Sequence, residues 1–106
     1  MSSGKYWAGV LPVNTDQDTG AVPAGKVRTV SVNLVNTNTS QSAIVKVYIS
    51  TGTSPVDADR IEPDITIPAS GLYKLTGEIV GAGERVILRS NISSVTARVT
   101  GFEENV

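Results

Sequence analysis

Residues 26–37 read Lys-Val-Arg-Thr-Val-Ser-Val-Asn-Leu-Val-Asn-Thr, and from residue 30 apolar and polar side chains alternate. Branched apolar residues at every second position are typical of a β-strand with one face against a core. The side chains predicted to face the core are Val30, Val32 and Leu34. The opposite face then carries Ser31, Asn33 and Val35.

The alternating pattern is repeated over residues 43–51. One face of this second strand carries Val45, Val47 and Ile49. The other face carries Ile44, Lys46 and Tyr48. The intervening segment, residues 36–41, is polar and rich in Asn and Thr, which favour turns. The two runs are therefore predicted to form a hairpin.

The C-terminal third contains another two alternating runs, residues 84–90 and 94–101, separated by Asn91-Ile92-Ser93. We predict a second hairpin here, with one apolar face made by Val86, Leu88, Val95, Ala97 and Val99.

The middle of the chain is less regular. Pro63 interrupts an apolar run, which indicates an edge strand or a short strand beginning at Asp64. A further short strand is predicted over residues 72–76, and a loop over residues 77–83.

These runs predict an all-β fold. About six or seven short strands, punctuated by Gly and Pro, are typical of a single small antiparallel β-sandwich, either immunoglobulin-like or jelly-roll-like. A length of 106 residues favours one domain. We assign the sandwich to residues 26–106 and treat residues 1–25 separately.

The first 25 residues admit two interpretations. Tyr6, Trp7, Val10 and Leu11 form an apolar patch, and residues 14–24 are polar and turn-prone. The segment is either an ordinary first strand followed by a long loop or an extended N-terminal arm that docks on a neighbouring subunit or partner. Trp and Tyr are favoured anchors at protein interfaces, which supports the arm.

The composition argues against several classes of function. Nine basic residues balance ten acidic ones, for a net charge of -1, so no nucleic-acid partner is expected. No apolar stretch is long enough to cross a bilayer, so no membrane partner is expected either. Without histidine or cysteine the chain lacks the usual general base and the usual zinc ligands, and an enzyme is not expected.

No catalytic residue, cofactor or metal is therefore predicted. The densest acidic group, Asp57, Asp59, Glu62 and Asp64, could in principle supply oxygen ligands to calcium. Its spacing differs from that of an EF-hand loop, and Arg60 offsets part of its charge. A solvated acidic loop is the favoured interpretation.

The chain from Val30 to Glu104 resembles a known group of proteins. The resemblance lies in Val-Ser-Val-Asn-Leu-Val-Asn-Thr (30–37), Gly-Ala-Gly-Glu-Arg-Val-Ile-Leu-Arg-Ser (81–90) and Ala-Arg-Val-Thr-Gly-Phe-Glu-Glu (97–104). It is to the small β-sandwich structural proteins of tailed-bacteriophage virions, including capsid decoration (cement) proteins. The resemblance implies a homotrimer on the capsid exterior that bridges neighbouring major capsid proteins. Synthesis in the host bacterial cytoplasm would precede its attachment to the virion.

The contact residues are predicted on the same basis. Capsid contact is assigned to the N-terminal patch, Tyr6, Trp7, Val10 and Leu11. Contact between subunits is assigned to the second apolar stripe of the first hairpin, Val35, Ile44 and Tyr48. The alternative is that both faces of that hairpin are covered within one monomer.

Two alternatives stay open. A tail, neck or fibre-base component of the virion would have the same composition. A carbohydrate-binding or cell-surface-binding sandwich is also possible, although five aromatic residues supply few stacking platforms for sugars.

Overall fold

Eight β-strands make up most of residues 3–106. The computed structural model describes residues 3–106. The strands are β1 (Ser3–Val10), β2 (Gln17–Ala21), β3 (Lys26–Asn36), β4 (Ala43–Ser50), β5 (Ile65–Ile67), β6 (Leu72–Val80), β7 (Arg85–Ser90) and β8 (Val95–Asn105). A single turn of 3-10 helix covers Asp57–Asp59. Within residues 3–106 no helix is long and apolar enough to span a membrane.

The strands form two four-stranded sheets. Sheet A has the order β1-β8-β3-β6, and sheet B has the order β2-β7-β4-β5. All neighbouring strands are antiparallel. This arrangement is a jelly roll, so the predicted all-β sandwich is confirmed and the second of its two architectures is the one adopted. The number of strands is eight because the N-terminal segment adds two that the count of alternating runs did not include.

Neither predicted hairpin is present. The strands β3 and β4 lie in opposite sheets, and so do β7 and β8. The true partners of β3 are β8 and β6, and those of β4 are β7 and β5. Apolar faces of consecutive strands thus meet across the interior, where each sheet covers the other, instead of lying side by side in one sheet.

Asn36 shows why the link after β3 crosses the sandwich. Its side chain is fully buried, and its Nδ2 donates to the carbonyls of Gln41 (2.8 Å) and Ile67 (3.1 Å). Its Oδ1 accepts from the backbone N–H of Asn38 (3.0 Å) and the hydroxyl of Ser94 (3.3 Å). One buried amide therefore joins the end of β3 to the end of β5 and the start of β8, and holds the two sheets together.

The core between the sheets follows the predicted alternation. Val30, Val32 and Leu34 are buried as expected, and so are Val95, Ala97 and Val99. The pattern in β4 is less strict, because Ile49 is only partly buried while Tyr48 on the opposite face is 7% exposed. Tyr48 pairs across a β-bridge with Arg60, whose segment runs beside this part of sheet B.

The described part of the N-terminal segment belongs to the sandwich. The first strand, β1, pairs with β8 at the edge of sheet A, and β2 pairs with β7 at the edge of sheet B. Between them Leu11 is fully buried, and its backbone N–H donates to the carbonyl of Val95 at 2.8 Å. Residues 3–21 therefore have the geometry of ordinary strands and a connection, not of a free arm.

The middle of the chain differs from the prediction at one strand. The edge strand after Pro63 is present as the three-residue β5. The next strand, β6, continues to Val80 instead of ending at Thr76. A bulge lets it do so: the register against β3 shifts between Val30 and Val32, and Gly77 takes a φ of 74°, which favours glycine.

Candidate interaction surface

A row of outward-facing side chains, three of them apolar and exposed, crosses the outer face of sheet A. Strand register aligns Val10 with Thr96, Thr96 with Val35, and Val35 with Leu72. The three apolar members are 59%, 40% and 71% exposed in the order Val10, Val35, Leu72. We call these four residues the valine row. At strand spacings of ~4.8 Å it spans roughly 14 Å across all four strands.

The alternation of the strands explains why these side chains face outward. Each stands next in sequence to a buried or core-facing residue, as Val35 does to Leu34 and Thr96 to Ala97. Because successive side chains point to opposite faces, burying the inner set in the core leaves the valine row on the surface. Large apolar residues that line up on one face mark interaction surfaces more often than isolated ones do.

A polar row lies next to the valine row. Arg98 is in register with Asn33, and Asn33 with Lys74. We call these three residues the basic row. Both Arg98 and Lys74 are exposed, and neither has an ion-pair partner among residues 3–106. The face thus combines an uncovered apolar strip with unneutralised positive charge.

Two shallow depressions lie along these rows. One, between β3 and β6, is lined by Asn33, Val35, Leu72 and Lys74 among others. The second, over β1, β8 and β3, is lined by Val10, Thr96 and Arg98 together with small residues of β1. Asn33 and Val35 line both depressions, so together they form one continuous surface.

The predicted capsid-contact residues do not form one exposed patch. Val10 lies on the outer face of sheet A, but Leu11 is part of the core. Trp7 is half-buried against the core, and its ring lies over Gly9, where an added Cβ would be 3.2 Å from the ring. Leu11 is thus unavailable for an intermolecular contact, because the chain passes from sheet A toward sheet B at that point.

Tyr6 lies at one end of the core. The guanidinium carbon of Arg28 is 4.1 Å from the centre of its ring, and Arg28 Nε donates to Glu103 Oε1 at 2.9 Å. Burial raises the pKa of the Tyr6 phenol, partly opposed by the positive charge of Arg28. Tyr6 is therefore part of a half-buried cluster that packs against the core.

The predicted subunit-contact residues are also separated. Val35 and Ile44 are similarly exposed, at 40% and 39%, but they lie on the outer faces of opposite sheets. Tyr48 is buried within the monomer. The predicted stripe required β3 and β4 to form a hairpin. Because these strands lie in different sheets, the three residues do not form a stripe.

Sequence reasoning missed the residues that complete the valine and basic rows. Leu72 and Thr96 flank Val35 only because β6 and β8 pair with β3, and no local pattern encodes that pairing. Arg98 follows core-facing Ala97, so alternation turns it outward, but its position beside Asn33 and Lys74 is set by the register.

The acidic loop is internally bonded. Arg60 forms an ion pair with Asp64, Asp59 Oδ2 accepts from the N–H of Val56 at 3.0 Å, and the Tyr73 hydroxyl donates to Glu62 Oε1 at 3.4 Å. Among residues 3–106 no three acidic side chains converge on a common point that could hold a metal ion.

Comparisons with known proteins yield little. No protein-family model matches the chain, and no curated protein matches it. Among solved structures, the chain is similar to the crystal structure of a pentameric capsid protein isolated from metagenomic phage sequences. That alignment has a TM-score of 0.38 and 19% sequence identity. It covers 97% of this chain and 61% of the other, so this chain spans about three fifths of that protein's length.

Proposed function

We propose that this protein is a structural component of a tailed-bacteriophage virion, and more narrowly a capsid decoration protein. It binds the outer surface of the shell as a homotrimer and bridges neighbouring major capsid proteins. Its role is structural and not enzymatic. The observation that carries the proposal is the valine row, an apolar strip across a complete sheet that the monomer leaves uncovered.

The energetics of a small domain favour covering such a strip. Burying apolar surface contributes roughly 25 cal/mol per Å², and every copy in a repeating shell can gain this contribution. A decoration protein also uses many identical contacts at once, so modest affinity per contact gives stable attachment. A sheet face suits this role because its hydrogen-bonded backbone can bind another protein without rearrangement.

The jelly-roll fold is compatible with a capsid protein and with a carbohydrate-binding module. Jelly rolls occur in viral capsid domains and in lectins. Sugar binding by stacking needs exposed aromatic rings, and among residues 3–106 the only largely exposed aromatic side chain is that of Phe102, at 45%. The aromatic side chains are otherwise half-buried or buried, namely those of Tyr6, Trp7, Tyr48 and Tyr73. The surface therefore supports protein contact better than carbohydrate contact.

We assign the two depressions to different partners. The one over β1 and β8, which contains Val10, faces the major capsid protein. The one between β3 and β6, which contains Leu72 and Lys74, faces other copies of this chain, and Val35 lies where the two depressions meet. This keeps one residue from each predicted contact set and discards Leu11 and Tyr48, which are buried within the monomer.

The test is binding to purified particles that lack this protein, followed by image reconstruction. We expect added density at three-fold positions of the outer shell, and light scattering should give a mass near ~33 kDa for the free protein, three times the monomer mass of 11.1 kDa. Density at the tail, neck or fibre base would replace the capsid role with the alternative virion role. Absence of the protein from particles would refute both.

A matched pair of variants locates the contact. Val10→Asp should lower the number of copies per particle about tenfold, because it places a carboxylate in the contact. Val13→Asp changes a residue of similar exposure, 48% against 59%, which lies outside β1 and bridges to Ser90. It should leave the copy number unchanged. Equal losses in both variants would show that the β1 depression is not the contact.

A further inference from the structure

The basic residues of this molecule differ in whether an acidic side chain of the same chain neutralises them. Arg28, Arg60, Arg85 and Arg89 each have an acidic partner within the chain. The lysines Lys5, Lys26, Lys46 and Lys74 and the arginine Arg98 have none among residues 3–106. Of these, Lys74 and Arg98 lie together in the basic row beside exposed apolar side chains. The outer face of sheet A therefore presents charge that another molecule could neutralise.

The acidic loop, residues 56–64, presents the opposite charge. It contains four acidic residues and one basic residue. At its start Val56 is 63% exposed, and Asp57 follows it, also exposed. The loop thus offers an apolar tip next to a carboxylate.

The tip of this loop is held in a fixed shape. The N–H of Asp59 donates to the carbonyl of Val56 at 2.9 Å, and the N–H of Arg60 donates to that of Asp57 at 3.1 Å. The N–H of Val56 in turn donates to the Asp59 carboxylate. A loop that is ordered before binding loses less conformational entropy when it docks.

We propose that the acidic loop of one copy docks in the β3–β6 depression of a second copy. Val56 would lie between Val35 and Leu72, and Asp57 would lie beside Lys74. The inference rests on the proposed function, because a decoration protein that bridges shell subunits needs contacts between its own copies. It adds the two surfaces that make the contact.

Apolar contact and opposite charge both support the docking of this loop in this depression. The depression places the apolar pair Val35 and Leu72 one row away from Lys74, and the loop places an apolar residue directly before an aspartate. Stacking two sheet A faces against each other would instead bring the two basic rows together, which opposes association. The loop and the depression are different surfaces, so successive copies can join head to tail and close a ring.

The experiment is a charge exchange followed by sedimentation equilibrium on the full chain. Lys74→Glu and Asp57→Lys should each raise the dissociation constant of the oligomer about tenfold, because each creates a like-charge contact. The double variant should recover to within about threefold of the original protein, since it restores an opposite-charge pair. Raising the ionic strength from about 0.05 to about 0.5 M should weaken the original protein and the double variant alike.

Lys5→Glu is the matched control. Lys5 is an exposed lysine on the same face, but it lies on β1 in register with Thr100, at the opposite edge of the sheet from Lys74. It should change the dissociation constant by less than about threefold, because screening limits its effect at that separation. Thermal melts of all variants would verify folding, which exposed substitutions should preserve.

The outcomes separate this inference from the proposed function. Recovery in the double variant, with Lys5→Glu near the original value, supports the docking of the loop. A stable oligomer whose double variant is no better than the single variants refutes the loop contact and leaves the proposed function standing. A monomer at every concentration also refutes the loop contact, and particle binding then decides the function independently.

Discussion

The outer faces of the two sheets differ in how their charges are neutralised. On sheet B, Arg85 contacts Asp18 at 2.7 Å and Arg89 contacts Asp16 at 3.2 Å. On sheet A, Lys74 has no acidic partner within residues 3–106 and lies one row from exposed apolar side chains. The two arginines of the sheet B face are thus neutralised within the chain, although Lys46 beside Arg89 has no ion pair among residues 3–106. The sheet A face differs in combining unneutralised charge with a row of exposed apolar side chains.

Val35 on sheet A and Ile44 on sheet B are a matched pair of apolar residues on the two outer faces. Their exposures are nearly equal, at 40% and 39%, so exposure alone does not distinguish the two faces. Val35 lies in a row with Leu72, whereas the register partner of Ile44 in β5 is Thr66 and the depression beside it is lined by Lys46 and Arg89. The arrangement of neighbours, and not the exposure of one residue, is what identifies a contact surface.

The largest expected effect comes from forcing apart β8 and β3, the two central strands of sheet A. Gly101 in β8 has a φ of 153°, and a Cβ added there would lie 2.0 Å from the carbonyl oxygen of Thr29 in β3. Gly101→Ala should therefore force β8 and β3 apart, at a cost of at least about 4 kcal/mol. We expect loss of soluble folded protein, measured by circular dichroism and by the thermal melt.

Gly52→Ala is the control for this substitution. Gly52 lies in the loop after β4, and an added Cβ there would meet nothing within 4 Å. This variant should melt within a few degrees of the original protein, roughly ±0.5 kcal/mol. Normal folding of Gly101→Ala would show that β3 and β8 can separate without disrupting sheet A.

The strands were predictable from sequence to the extent that they depend on local alternation. Val30, Val32 and Leu34 were assigned to the core correctly because each strand carries its own pattern. Strand pairing was not predictable, because β3 pairs with β8 and β6, both distant in sequence. The polar link after Asn36 fits a hairpin turn or a crossing between sheets equally well, and only the buried contacts of Asn36 distinguish the two.

The candidate site was predictable in part for the same reason. Val10 and Val35 are predicted contact residues, and both lie in the valine row. Leu11 was selected with Val10 because the two are adjacent and apolar, but the pleat and the passage between sheets place it in the core. A row that crosses four strands is a property of register, which an alternating pattern does not encode.

The second prediction tests the two faces directly. Val35→Asp should weaken self-association about tenfold, because the carboxylate would stand in the apolar contact between copies. Ile44→Asp places the same charge at equal exposure on sheet B and should leave association unchanged. Sedimentation equilibrium gives the dissociation constants, and both variants should melt within about 4 °C of the original protein. Equal weakening by both substitutions would remove the distinction between the faces.

The smallest expected effect comes from removing the ion pair between Arg60 and Asp64, which lies beside sheet B. Arg60 would then lack an acidic partner, as Lys74 does on sheet A. The hydrogen bond and charge of Arg60 lower the pKa of the Asp64 carboxyl below its usual value. A lowered pKa in the folded state means that the ion pair stabilises the protein above the unfolded pKa of about 3.9, and that this contribution is lost as the pH falls through the folded value. Asp64→Asn should therefore melt slightly below the original protein at pH 7, with the difference shrinking as the solution is acidified from about pH 5 to about pH 2.

The control for that ion pair is Asp57→Asn, measured at low protein concentration. Asp57 is exposed and has no ion-pair partner among residues 3–106, so its amide variant should melt like the original protein at pH 7. A melting difference for Asp64→Asn that stays constant across the acid range would mean that the carboxylate charge is not what Arg60 recognises. The contrast between the two faces would then rest on the sheet B pairs of Arg85 and Arg89 alone.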